Sequence, residues 1–378
     1  MTPLVFDPLD PPADAWPEDR DMERRYIDGI AGAGVERMVA NVRTHWRALR
    51  MGDRVFPLTI DDGDIGDSYV CQPHSAYVLY AREELELVDT GALRPLLSMA
   101  IRPFDALLRA ARINRIVHLD NWLLSTNLHG DWRGENLTSI REYLIETYPD
   151  HLIAIRSIDT WSAPELASAL NADGWVLLPS RQIWVVDDLS RDWLPRTSVR
   201  NDFKTLRRSG LHAETPTMLS ADDAKRIADL YRQLYIDKYS SLNPRFTPDY
   251  IRMTHAAGAV RYRVARAGDG RILAVGGIFV RDGVATAPIL GYDTSCARSL
   301  GLYRIASLLA RSLAMEAGLR FNGSAGAADF KRARGARAVV ESMAVYTAHL
   351  PVFRRAAVNT LASVLRGIVF PMMVRRQL

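Results

Sequence analysis

The stretch with the plainest capacity for chemistry is the loop Tyr292-Asp-Thr-Ser-Cys-Ala-Arg-Ser-Leu-Gly-Leu-Tyr303. An apolar, strand-like run (residues 284–290) leads into it, and a helical run (303–316) leads out. A strand, a loop and a helix N-terminus in that order can hold a phosphate or pyrophosphate. Backbone N–H groups point out of such a loop, and the helix dipole favours negative charge there. Arg298, Ser299, Gly301 and Leu302 are the candidate cradle. Cys296 also lies in the loop, but no histidine stands near it in sequence to make a nucleophilic dyad.

The elements that must position this loop follow from size and pattern. At 378 residues the chain can bury a large core, and two domains are expected. With 48% hydrophobic and 24% charged residues it has an ordinary globular composition. A net charge of +4 is too mild an excess to argue for nucleic acid by itself. The excess is uneven: no acidic residue follows Glu341, whereas Arg354, Arg355, Arg366, Arg375 and Arg376 do. Cys71 and Cys296 lack metal-ligand spacing and fit a reducing compartment without a disulfide framework. Residues 1–25 lack the basic start and apolar core of a secretory signal. No run approaches the roughly eighteen apolar residues of a membrane span, so the expected location is cytoplasmic.

Five prolines make residues 1–20 a loose arm. A helix is expected over 22–50, then strands at 54–60 and 68–81, the latter rich in Tyr and Val. The acidic segment 61–67 lacks the twelfth-position carboxylate of a calcium loop and reads as a solvated turn. Helices follow at 93–111, 137–147 and 164–171, and strands at 115–119, 151–158 and 175–187. The second half opens with a basic helix (199–209), a strand (211–215) and a helical region (221–239) before a proline-containing loop. Strands at 260–267, 272–281 and 284–290 are joined by Asp269-Gly270 and Asp282-Gly283, turn dipeptides that make an antiparallel meander. After the loop come a helix (303–317), a strand (320–322), a helix (327–334) and a strand (339–347). No internal repeat shows in the sequence. The expected division is an arm (1–20), domains at 21–155 and 156–350, and a basic amphipathic C-terminal helix (351–378). That tail could pack on the body or touch a membrane surface at its periphery.

The element order across 211–347 resembles the GNAT acyltransferase fold. In that family a loop with Arg/Gln-x-x-Gly-x-Gly/Ala wraps the coenzyme A pyrophosphate. Arg298-Ser-Leu-Gly301-Leu-Tyr303 matches the first two anchors and departs at Tyr303. Ser324-Ala-Gly-Ala327-Ala-Asp-Phe330-Lys331-Arg-Ala-Arg-Gly335-Ala336 fits the spacing of a second family signature, with Ser324 for its Asn and Lys331 for its Tyr. Lys at that point, behind a two-layered first half, resembles the tandem GNAT branch that includes Fem-like and BioF2-like proteins. The resemblance implies an α+β protein of two GNAT-like domains, each a mixed, mostly antiparallel sheet flanked by helices, the second binding the donor.

It also implies an N-acyltransferase that uses acyl-CoA as co-substrate, with no permanently bound cofactor, no metal, and a small or amino-acid-like amine as acceptor. Lys331 would face developing negative charge or protonate the leaving thiolate; it could equally lie on a solvated basic helix face. Asp293 is the nearest carboxylate to orient or deprotonate an amine, or a cap of its loop, and Tyr303 could reach the thiolate or only pack. Ser324 joins the donor side, and strands parting near Leu290–Gly291 would free N–H groups for the thioester carbonyl. Tyr235, Lys238, Tyr239 and Asn243 are the expected acceptor site; Asn121, Ser125, Thr126 and Asn127 form a polar loop that could join it. The alternatives are a Fem-like transferase using aminoacyl-tRNA, which the basic helix favours, and a non-catalytic GNAT-like scaffold.

Overall fold

The computed structural model of the chain describes residues 2–87 and 94–372. Its strands are β1 (Leu4–Phe6), β2 (His45–Met51), β3 (Arg54–Asp62), β4 (Arg115–Leu119), β5 (Leu152–Ile158), β6 (Val176–Val186), β7 (His212–Glu214), β8 (Val260–Arg266), β9 (Ile272–Arg281), β10 (Val284–Tyr292), β11 (Arg320–Asn322) and β12 (Arg337–Tyr346). They form one sheet in the order β1-β2-β3-β4-β5-β12-β6-β11-β10-β9-β8-β7. Adding six to each of β1–β6 reproduces the other end of the sheet. The parallel pairs also correspond, β4 with β5 and β10 with β11, and all other neighbours are antiparallel.

The molecule is therefore two six-strand repeats that have exchanged their last strands. β12 pairs with β5 of the first repeat, β6 pairs with β11 of the second, and β6 and β12 pair with each other at the centre. The boundary expected at 155/156 falls inside the first repeat, because β6 lies downstream of it in sequence yet completes that repeat's strand set.

The helices repeat too. α1 (Asp21–Ala33) and α2 (Val35–Met38) correspond to α8 (Ala221–Tyr235) and α9 (Pro248–Ala256). The first repeat alone inserts, between β3 and β4, a hairpin with α3 (Tyr80–Leu87) and α4 (Arg94–Ala110). α5 (Leu137–Thr147) and α6 (Pro164–Ala172) then match α10 (Leu302–Glu316) and α11 (Ala328–Arg332), α7 (Thr197–Arg208) links the repeats, and α12 (Val352–Val364) ends the fold.

On one sheet face α1, α2, α8 and α9 share a single core, with Tyr26, Ile30, Ile227 and Tyr250 buried together. Beside it the hairpin and α12 cover the central strands, Val78, Leu108 and Leu361 closing on Leu178 and Met343. The other face carries α5 and α6 on the first repeat and α7 and α10 on the second. The shared core buries both repeats at once, which joins them more firmly than a linker would.

Several sequence expectations need correction. Residues 4–6 of the supposed loose arm form an edge strand on β2. The helix expected over 22–50 stops at Ala33 and Met38, and residues 45–51 form β2, whose Trp46, Ala48 and Leu49 are buried in the sheet. Residues 75–87 are helical rather than extended, since Val78 must face the central core. The 61–67 segment is a solvated turn only in its middle, where Asp64, Ile65 and Gly66 are exposed; at its ends Asp61 is buried and accepts from Thr44, and Asp67 is buried in a 2.9 Å ion pair with Arg43. The tail packs through Val358, Leu361 and Leu365, while Arg354 donates to the carbonyls of Ala111, Arg112 and Asp150. Arg375 and Arg376 lie outside the described residues. Among those described, no helix is long and apolar enough to cross a membrane.

Candidate functional site

The site begins with a parting of strands. β10 pairs with β11 only from Val284–Arg320 to Thr286–Asn322. Pro288, without an N–H, lies in a bulge between Thr286 and Ile289, and beyond it β10 follows β9 alone as far as Tyr292. The parting therefore starts at Thr286, earlier than the expected Leu290–Gly291. Two glycines let helices press on this bent segment from both sides. A Cβ on Gly291 would lie 2.6 Å from the backbone of Leu230 in α8, and one on Gly276, across the ladder, 2.5 Å from the backbone of Ala310 in α10.

At the end of β10 the loop is pinned. Asp293 accepts from the backbone N–H and hydroxyl of Ser295 and pairs with Arg226 at 2.6 Å. Burial raises its pKa, but these bonds outweigh it and hold the carboxyl below its ordinary value. A carboxylate lowered in this way and already bonded to Ser295 and Arg226 is a poorer base than a free one, and these contacts shape the loop. Thr294 is fixed by Gln233, and a single tight turn at Arg298–Leu300 delivers the chain to Gly301 at φ 65°. Glycine is needed there both for the left-handed backbone and because a Cβ would meet Thr205 of α7 at 2.7 Å. The helical ladder of α10 starts with Ile305 N–H to Gly301 O, 3.1 Å, so the N–H groups ahead of it face out of the helix end. Arg298 and Ser299 are exposed, and Arg298 makes no ion pair with a described residue; Leu302 is buried in the core beneath.

Lys331 stands on α11 behind this loop, buried, with its Nζ donating to the carbonyls of Gly323 at 2.7 Å, Ser324 at 3.1 Å and Ala325 at 2.6 Å. Burial, then the nearby Arg311 and Arg181, push its pKa well down, while the three carbonyls oppose that shift by solvating the ammonium. Its donors are already used. The residue is neither on a solvated face nor free to meet substrate; it clamps the segment that leaves β11. Ser324, in that segment at φ 57°, accepts from Thr126 at 3.2 Å. Thr126 in turn accepts from Arg181, whose guanidinium pairs with Glu341 at 2.7 Å on the neighbouring central strand. The polar loop of the first repeat thus reaches the second repeat's cleft.

The first repeat's own parting, after β4 and β5, is filled by its chain. Arg156 donates to Asn121 Oδ1 and to the carbonyls of Leu124 and Ser125, Asn127 accepts from Trp122 N–H, and Trp122, Leu123 and Leu124 are buried over it.

Tyr303, the departure from the loop motif, is partly buried between Tyr292 and Phe330, with ring centroids 6.0 and 4.8 Å away. Burial raises its phenol to about 12, so it is a proton donor and not a base at neutral pH. The expected acceptor residues are partly assembled. Tyr69 of the first repeat donates to Asn243 Oδ1 at 3.2 Å, and Asn243 donates to the Tyr235 carbonyl at 3.1 Å. Burial, and then neighbouring Tyr303, Tyr239, Tyr69 and Tyr80, raise the Tyr235 phenol, which places five tyrosines from both repeats round one region. Lys238 lies outside it, exposed over the face of Tyr239 at 5.3 Å.

Two groups escaped the sequence reading. Asp202, buried on the basic helix, binds Arg304 of α10 and Arg334 beyond α11, each at 2.6 Å, so α7 is stapled to the elements round the loop while its Arg200, Lys204, Arg207 and Arg208 stay exposed to solvent. Arg311, alone in an apolar helical run, lies buried behind Gly323 with its guanidinium 4.9 Å from the Phe321 ring. Neither signal is local in sequence.

Residues 196–332, most of the second repeat, match the family model described as the acetyltransferase (GNAT) domain. No curated protein matches the chain. Among solved structures, the chain is similar to FemX, with 8% identity, TM-score 0.46, and coverage of 59% of this chain and 78% of that one. It is similar to L-PGS from Bacillus licheniformis at 17% identity and TM-score 0.43, covering 59% and 77%. A tandem GNAT protein from the clavulanic acid biosynthesis pathway is similar along 90% of this chain and 92% of its own, at 12% identity and TM-score 0.38.

Proposed function

We propose that the chain is an N-acyltransferase that takes an acyl group from a coenzyme A thioester and gives it to an amine on a small or amino-acid-like acceptor. The observation that carries this reading is the parting of β10 from β11 beneath a tight loop whose Arg298 and helix N–H groups are uncommitted. The loop would hold the donor pyrophosphate, and the freed edge of Ile289–Tyr292 would offer N–H groups to the thioester carbonyl. The acceptor nitrogen would approach from the tyrosine-lined side, form the C–N bond and break C–S, and the proton it sheds would restore the phenol of Tyr303 after that phenol has protonated the thiolate. Tyr303 would return a proton to the leaving thiolate, which suits a phenol held protonated. Lys331 acts by positioning: it fixes the segment 323–325 that borders the donor.

Calorimetry with CoA and acetyl-CoA tests the reading. Wild type binds both; Arg298→Glu weakens both at least tenfold, the scale of one charge-assisted contact. No heat from either ligand on wild type removes the acyl-CoA reading. A second reading, aminoacyl-tRNA as donor, is favoured by the exposed Arg200, Lys204, Arg207 and Arg208 on α7, whose Thr205 touches Gly301. Salt-sensitive retention of aminoacyl-tRNA, lost on reversing those charges, would support it instead.

A further inference from the structure

Tyr303, Ser307 and Arg311 are spaced by four, so they form one stripe along α10, about 12 Å from end to end at 1.5 Å per residue. Most of the rest of that helix is committed to apolar packing. This stripe faces the segment after β11: the Arg311 guanidinium lies 3.2 Å from where a Gly323 Cβ would stand. Arg311 is 4% exposed. It donates to the hydroxyl and carbonyl of Ser307, its Nε has no hydrogen-bond partner, and no described carboxylate pairs with it. Its nearest charged neighbours are cations, Lys331 and Arg334; the one anion close by, Asp202, is held by Arg304 and Arg334. Burial lowers its pKa to about 10, which leaves it charged at neutral pH.

A buried guanidinium without a counter-ion, among other cations, is unfavourable in the free protein; the Phe321 face and Ser307 offset only part of the cost. An oxyanion entering from the helix N-terminus would find the missing partner at the end of the stripe. The donor is the natural carrier, because the loop proposed to hold it, Arg298–Gly301, runs directly into α10, the helix that bears Tyr303, Ser307 and Arg311.

We propose that Arg311, with Ser307 and Tyr303, is an oxyanion receptor that takes a carboxylate or phosphate group of the donor. This rests on the acyltransferase reading for the donor's identity, but not for the existence of the receptor. The test compares wild type, Arg311→Met and Arg311→Lys by thermal shift and calorimetry, with phosphate, succinate, CoA, acetyl-CoA and succinyl-CoA as probes.

Wild type is expected to be stabilised by phosphate or succinate, and Arg311→Met to lose that response while melting no lower than wild type without ligand. An at least tenfold loss in Arg311→Met for CoA and acetyl-CoA alike identifies a carrier phosphate; a loss confined to succinyl-CoA identifies an acyl carboxylate. If no CoA compound binds wild type, the acyl-CoA reading fails, and the phosphate and succinate arms still decide on the receptor. Should Arg311→Met not fold, or melt well below wild type with ligand responses unchanged in Arg311→Lys and Ser307→Ala, Arg311 is a structural cation and the proposal is overturned. Absence of any anion response in wild type overturns it too.

Discussion

A lysine whose three donors are spent on three adjacent carbonyls acts on its neighbours before it acts on any substrate. Lys331→Met leaves the carbonyls of Gly323, Ser324 and Ala325 without their donor, and buried acceptors without partners cost about 1–3 kcal/mol each before relaxation. We expect a loss of about 3 kcal/mol in urea unfolding together with weakened donor binding; a variant of unchanged stability but reduced turnover would restore a direct chemical role. A second residue-level expectation concerns pH. Burial, then Arg156, hold the buried His118 well below its ordinary pKa, so the unfolded chain takes up a proton that the native one refuses. Its contribution to stability is present above the unfolded value, near 6.5, and is lost as pH falls below it, by up to about 1.4 kcal/mol per pH unit. Asp61 works oppositely: burial raises it, the native state keeps its proton, and its contribution declines as pH rises above the unfolded value near 3.9. Relative to wild type, His118→Gln should therefore lose less stability between pH 7 and 5.5, and Asp61→Asn should lose more. Parallel profiles for all three would refute the assignment. The loop that carries Arg298 could be placed between its strand and helix because it is a local pattern. Arg311 could not be placed, since one arginine in an apolar helix looks like a surface residue until its surroundings are known.

Elements here meet where side chains are absent. α8 and α10 press on β10 and β9 at Gly291 and Gly276, and any Cβ there collides with helix backbone, which cannot rotate away as a side chain can. Gly291→Ala should push α8 off the sheet and open the tyrosine-lined region, seen as weakened acceptor binding and a lower melting temperature. Unchanged melting would mean that the helix gives way easily. α7 is held differently, by Val199 and Phe203 in the core and by Asp202 against two arginines. Asp202→Asn removes the charge from buried Arg334 and should cost about 3–5 kcal/mol in urea unfolding, whereas the exposed Lys204→Glu should cost almost nothing. Elements with local signals were legible: Asp269-Gly270 and Asp282-Gly283 mark the β8-β9-β10 meander without help from the rest of the chain. Residues 45–51 and 75–87 were misread because tertiary packing chose their conformation. Trp46 and Leu49 are recruited to a sheet, and the β-prone Tyr77 and Val78 to a helix on the central strands.

At the scale of the molecule, the two repeats are related by element order, and the sequence signals them only through the resemblance of its second half, which implies two like domains without showing that they exchange strands. Thr286 ends the parallel pairing of β10 and His118 stands at the same place on β4, yet one borders an open parting and the other a filled one. Filling by Arg156 and residues 121–127 leaves the first repeat a supporting role: its Tyr69 and Thr126 reach the second repeat's cleft. Neither half should fold alone, because each sheet lacks a strand that the other half carries. Residues 2–190 and 191–372 made separately should fail to show cooperative unfolding, and should recover it when produced together. Independent cooperative melting of either piece would contradict the interlock. The exchange also sets a timetable for biosynthesis. When Ile158 leaves the ribosome, the strand that will cover the outer edge of β5 has not been made, and it begins only at Arg337. At about 5–20 residues per second that edge waits on the order of ten to forty seconds, a long exposure for an unpaired apolar strand and a natural point of engagement for a nascent-chain chaperone.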